Sequence, residues 1–158
     1  MPSDSHFRLF DLPDEIWVKI AKYAVDLSPK PKQNQAASCS PDLVRQPAIT
    51  RACHKLRAEL LPYFYGHHVK LFLCCNFHGL CLWSGRTRVW LRAIGPSNLE
   101  SIRSIRLFVR EAKLEEAVRR IRKDIACTLV VGEQLTELDE NAQSFVRGEE
   151  KVYPLRFV

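Results

Sequence analysis

The chain has 158 residues, enough for one ordinary domain with its own core. Apolar residues make up 46% of it, which excludes wholesale disorder, and no run approaches the ~20 apolar residues of a membrane span. The net charge of +6 is concentrated, because residues 85 to 124 hold eleven Lys/Arg against five Asp/Glu while the remainder balances.

Taken in chain order, the first six residues lack the basic and apolar regions of a secretory signal, so an intracellular protein, cytoplasmic or nuclear, is expected. In that reducing setting the six cysteines read as free thiols. A short apolar strap (Phe7, Leu9, Phe10, Leu12) runs into Pro13, which stands at the first position of a helix with Asp14 and Glu15 at its positive dipole end. Ile16, Trp17, Ile20, Tyr23 and Ala24 recur at steps of three and four, giving one apolar face that something else must cover. Residues 26 to 46, punctuated by Pro29, Pro31 and Pro41, read as a linker. Pro47 opens a second helix whose apolar face is Ile49, Ala52, Cys53, Leu56 and Leu60; Pro62 stops it, and Tyr63 to Gly66 form an aromatic turn.

Residues 67 to 73 predict a strand, with Leu80 to Trp83 as its hairpin partner. Arg88 to Ile94 is a helix ended by Gly95-Pro96, with Trp90 anchoring it on the sheet, and Ile102 to Val109 alternates as a second strand. From Glu111 to Ala126 the stripe Leu114, Ala117, Val118, Ile121 and Ile125 marks a helix, supported by Glu115–Arg119 and Glu116–Arg120 pairs. Cys127 to Val131 is a short strand, Leu135 to Val146 a last amphipathic helix, and Lys151 to Val158 a strand on the sheet edge, where Pro154 is tolerated. The expected fold is α+β: a helical segment, 1 to 66, packed on a small mixed sheet with flanking helices, 67 to 158, in one compact domain.

Catalytic signatures are missing. There is no G-x-S-x-G, H-E-x-x-H or phosphate loop, and Cys53 and His54, being helix neighbours about 100° apart, cannot act as nucleophile and base. An enzyme is not expected. Cys74, Cys75, His78 and Cys81 have the residue types of a zinc site, but no second pair follows to complete a ligand set, so neither metal nor cofactor is expected. Arg119, Arg120, Arg122 and Lys123 form a basic cluster. It reads as an anion-binding surface or as the solvated face of an amphipathic helix, and residues 85 to 124 define a basic nuclear or nucleic-acid-associated protein as the second functional reading.

The first reading comes from a resemblance. Leu12-Pro13-x-Glu15-Ile16-x-x-x-Ile20 resembles the opening of an F-box, and Arg51, Arg57 and Glu59 followed by Leu61 to Gly66 are similar to the second segment of F-box-like proteins common in filamentous fungi. Residues 26 to 46 lie between the two segments, where the family has a short loop. The resemblance implies a substrate-side subunit of a cullin-RING ubiquitin ligase, with a Skp-type adaptor and a protein substrate as partners. It assigns adaptor contact to Leu12, Pro13, Ile16 and Ile20. The residues by themselves allow another role for the same positions, which is to face the second helix inside the domain.

Overall fold

In the computed structural model the described residues are 8–28, 45–74, 85–138, 143, 146 and 148–158. The fold is α+β, a helical layer on one face of a four-stranded mixed sheet. Helix α1 (Asp14–Asp26) follows a 3-10 turn, Leu9–Asp11. Pro13 is extended (φ −50°, ψ 144°), so it caps the helix instead of starting it, and its carbonyl accepts from the amides of Ile16 and Trp17.

The second helical segment comes in two pieces. Pro47 opens a 3-10 turn, Ala48–Arg51, closed by the buried Thr50 hydroxyl donating to the Pro47 carbonyl at 2.8 Å. Cys53 then turns extended and caps α2 (His54–His67), its sulfur accepting from the Leu56 amide at 3.5 Å. Pro62 was expected to end this helix, yet α2 runs through it, and Tyr63 to Gly66 form its last turn instead of a loop. The proline is tolerated because it stands on the exposed side. Its missing N–H deprives only the carbonyl of the equally exposed Ala58, which water can reach. Leu56, Leu60, Leu61, Phe64 and Tyr65 are buried on the other side, whereas Ala52, expected there, is exposed.

The sheet contains β1 (Lys70–Cys74), β2 (Ser104–Val109), β3 (Leu129–Val131) and β4 (Lys151–Phe157) in the order β1-β2-β4-β3. Strand β1 pairs in parallel with β2, Leu71 standing opposite Ile105. The crossover between them carries α3 (Gly85–Ile94) and α4 (Pro96–Ser101), hinged at Gly95, whose φ of +82° disfavours any residue with a Cβ. The hairpin partner expected over Leu80 to Trp83 lies outside the described residues. Helix α5 (Leu114–Ile125), after a 3-10 turn at Glu111–Lys113, leads from β2 to β3.

Strand β4 was expected on an edge and is instead central, antiparallel to both β2 and β3. Its proline fits there for a geometric reason. The Pro154 carbonyl accepts from the Gly132 amide at 2.9 Å, so the backbone polar side of Pro154 faces β3 just where that strand has ended, and the bonds to β2 are untouched. Gly132 is required beside it, because a Cβ there would lie 2.8 Å from Cγ of the Pro154 ring.

One core joins helices and sheet. Trp17, Ala21, Leu60, Tyr65, Leu91, Leu99, Ile121 and Ile125 meet Ile105, Leu107, Leu155 and Phe157 from the strands. Trp90 packs on this core, with its ring centroid 6.1 Å from that of Tyr65 of α2. On the opposite face Phe72, Phe108 and Val152 form a smaller cluster under Leu135, Leu138 and Val146. Leu135 and Leu138 lie in irregular chain, not in the helix expected from 135 to 146, and much of that range is outside the described residues.

Candidate functional site

Helix α1 carries two apolar stripes where the sequence reading assigned one. Trp17, Ala21 and Val25, spaced by four, are buried in the main core, on the side where α1 packs on α2. Ile16, Ile20, Tyr23 and Leu27 recur at four, three and four, which places them within about 60° of arc on a separate side of the helix. They remain 42%, 47%, 64% and 66% exposed. Phe10, 43% exposed at the helix start, sets its ring edge-on to the Trp17 indole with centroids 5.4 Å apart, and Pro13 is exposed nearby. Lone exposed apolar residues are ordinary; a contiguous row on a rigid helix marks a contact surface.

The start of the stripe is held by polar clamps. The Asp14 carboxylate accepts from the Trp17 indole N–H at 2.6 Å and from the Lys55 ammonium at 3.2 Å. Those contacts, the indole bond first, hold its pKa below the ordinary aspartate value. Lys55 also lies over the rings of Trp17 and Phe10, at 4.6 and 5.2 Å from their centroids. At the far end Asp26 accepts from the Tyr63 hydroxyl at 2.9 Å and contacts Nε2 of His68 at 2.8 Å. Desolvation pushes the Asp26 carboxyl up, but the bonds from Tyr63 and His68 and the nearby imidazoles bring it below the usual range. Both ends of α1 are therefore fastened to α2, so the exposed stripe sits on a fixed support.

Of the four residues assigned to adaptor contact, Ile16, Ile20 and Pro13 are exposed together, while Leu12 is half-buried and packs on the main core. Sequence reasoning missed Leu27 as a member of this row and counted Tyr23 with the residues to be covered. The signal was present as two interleaved four-residue spacings, which a search for a single apolar face merges into one.

The basic cluster on α5 is partly committed to the fold. Arg120 pairs with Glu116, and Arg122 donates to the Leu129 carbonyl at 2.7 Å, tying α5 to β3. Arg119 and Lys123 are exposed, and the expected Glu115–Arg119 pair is not formed. Arg88 pairs with the Asp124 carboxylate at 3.6 Å and Arg92 donates to the Asp124 carbonyl at 2.6 Å, so these arginines join α3 to α5. Cys74 is half-buried beside Phe72 and Phe108, whereas Cys75, His78 and Cys81 lie outside the described residues. Among the described residues no three His, Cys, Asp or Glu side chains converge as metal ligands, and no helix is long and apolar enough to cross a membrane. No family model, curated protein or solved structure matches this chain.

Proposed function

We propose that this chain is a non-enzymatic, F-box-like interaction module. It docks the exposed stripe of α1 on a Skp-type adaptor and serves on the substrate side of a cullin-RING ubiquitin ligase. The observation that carries the reading is the row Ile16, Ile20, Tyr23 and Leu27, apolar and outward-facing on a helix clamped at both ends. The Leu-Pro-x-Glu-Ile opening and the segment from Arg51 to Gly66 support it from the sequence side.

Covering these half-exposed side chains contributes on the order of 1 kcal/mol each. Association costs at least several kcal/mol, so Pro13 and a polar rim must add to the contact. Lys19 and Glu15, exposed on the same helix, are placed to supply part of that rim. The test is co-purification with a Skp-type adaptor, comparing the native chain with an Ile16→Asp/Ile20→Asp variant whose circular dichroism is native. A stoichiometric complex lost in the folded variant is the expected result. Failure of the folded native chain to bind the adaptor overturns the ligase assignment.

A further inference from the structure

A second, chemically different surface lies around the end of the sheet where β2 begins and β4 ends. Arg103 immediately precedes β2 and Arg156 is the penultimate residue of the antiparallel β4. Both line one open groove of about 960 Å³, whose other walls come from α2 and α4, with Lys22 of α1 at its border. Three residues of α2 at steps of four, Ala58, Pro62 and Gly66, face it. They keep the wall low, and a Cβ on Gly66 would stand 3.2 Å from the Ser101 carbonyl and 3.8 Å from Nε of Arg103.

The charges of this groove do not cancel. Lys22 pairs with Glu59 at 3.6 Å, which settles one cation and one acid. Arg103 and Arg156 are exposed, and neither has a carboxylate partner among the described residues. Glu100 is the one further acid on the wall, and the His67 imidazole is tied to the Tyr63 carbonyl through Nδ1 at 3.0 Å. Counting its lysine, arginine and glutamate side chains, the groove is left with a single positive charge in excess.

We propose that this groove binds a peptide segment through one carboxylate, held between Arg103 and Arg156. A guanidinium fork matches a carboxylate in both charge and geometry, and both arginines line this groove. The excess of one charge fits a monoanion better than a phosphate dianion. A nucleic-acid strand is disfavoured because its successive phosphates would meet Glu59 and Glu100. The remaining wall suits a backbone: Pro62 leaves the Ala58 carbonyl without its helical donor, and that carbonyl and Glu100 can accept N–H groups from an extended chain. The volume lies at the upper end of small-molecule sites, and the open shape admits a chain passing through. This site is independent of the α1 stripe.

The experiment is an NMR titration of the ¹⁵N-labelled full chain with a pool of pentapeptides, acetyl-X-X-Glu-X-X-amide, against the same pool with Gln at the centre. The expected result is saturable shifts at the amides of Gly66, Ser101, Arg103 and Arg156 with the Glu pool. The Gln pool and an Arg103→Gln/Arg156→Gln variant should each bind about tenfold more weakly or worse. Because both arginines are exposed and have no carboxylate partner among the described residues, that variant keeps its fold, which its spectrum verifies. Three outcomes overturn the proposal: no shifts at these amides with the Glu pool at millimolar concentration, equal response to the Gln pool, or tighter binding there by inorganic phosphate or a ten-residue thymidine oligonucleotide. An Ile16→Asp/Ile20→Asp variant should titrate like the native chain, which separates failure of this site from failure of the adaptor surface.

Discussion

Helices α1 and α5 are almost the same length, 13 and 12 residues, and both contribute to the same core, yet they use their apolar residues differently. Helix α5 has one stripe and hides it: Ala117, Val118, Ile121 and Ile125 are buried and Leu114 packs against them. Helix α1 hides Trp17, Ala21 and Val25 and leaves Ile16, Ile20 and Tyr23 in water. The core needs one stripe from each helix. Apolar residues beyond that requirement stay exposed, and on α1 they are the row proposed above for adaptor contact.

The comparison breaks or sharpens under substitution. Trp17→Ala should cost about 3–5 kcal/mol and Ile121→Ala about 2–5 kcal/mol in denaturant unfolding, because each empties a site in the shared core. Ile16→Asp/Ile20→Asp should change stability by no more than about 1 kcal/mol while removing the proposed adaptor binding. If that double variant unfolds as readily as Trp17→Ala, the outer stripe belongs to the core and the distinction between the helices disappears.

A smaller effect is expected at the end of α5, where Ala126 adopts a left-handed conformation with φ 56° and ψ 41°. Ala126→Gly relieves that strain and should stabilise by about 0.5–1 kcal/mol, seen as a raised denaturation midpoint. An unchanged or lowered midpoint would refute the strain assignment.

The smallest effect concerns acid. Asp26 on α1 and Glu116 on α5 both titrate below their ordinary values, Asp26 through Tyr63 and His68 against its own desolvation, Glu116 through Lys113 and then Arg120. A carboxyl lowered in the folded state stabilises above its unfolded value, and that contribution fades as pH falls from about 5 toward and below 4. Asp26→Asn should therefore flatten the decline in stability over that range and loosen α1 from α2. Glu116→Gln should flatten it with α1 still in place. Urea unfolding at stepped pH measures both slopes, and slopes equal to the native one would remove these acids from the account.

Much of this fold was legible in local pattern. The spans of α1, α5, β2 and β3 follow from periodicity, charge placement and breakers close to each element. Pro13, Ile16 and Ile20 were assigned to a contact surface through the family resemblance and are exposed, whereas Leu12, assigned with them, packs on the core. Tyr23 was read as part of a covered face, since sequence shows that a residue is apolar but not whether a neighbour reaches it. Pro62 was read as a stop because its cost was judged without knowing that Ala58 and Pro62 both face solvent.

What the sequence by itself determined was the set of elements and their amphipathic faces, because propensity, capping and apolar periodicity act over a few residues. Which strand lies beside which was decided only by tertiary packing. Nothing near Lys151 tells it to enter between β2 and β3, and nothing near Lys70 selects Ser104 as its parallel partner. The same holds for function. Arg103 and Arg156 are 53 positions apart in the chain and share a groove because the antiparallel β2–β4 pairing brings the start of one strand to the end of the other. Backbone pairing over such separations depends on the whole core closing at once, which no short stretch of sequence contains.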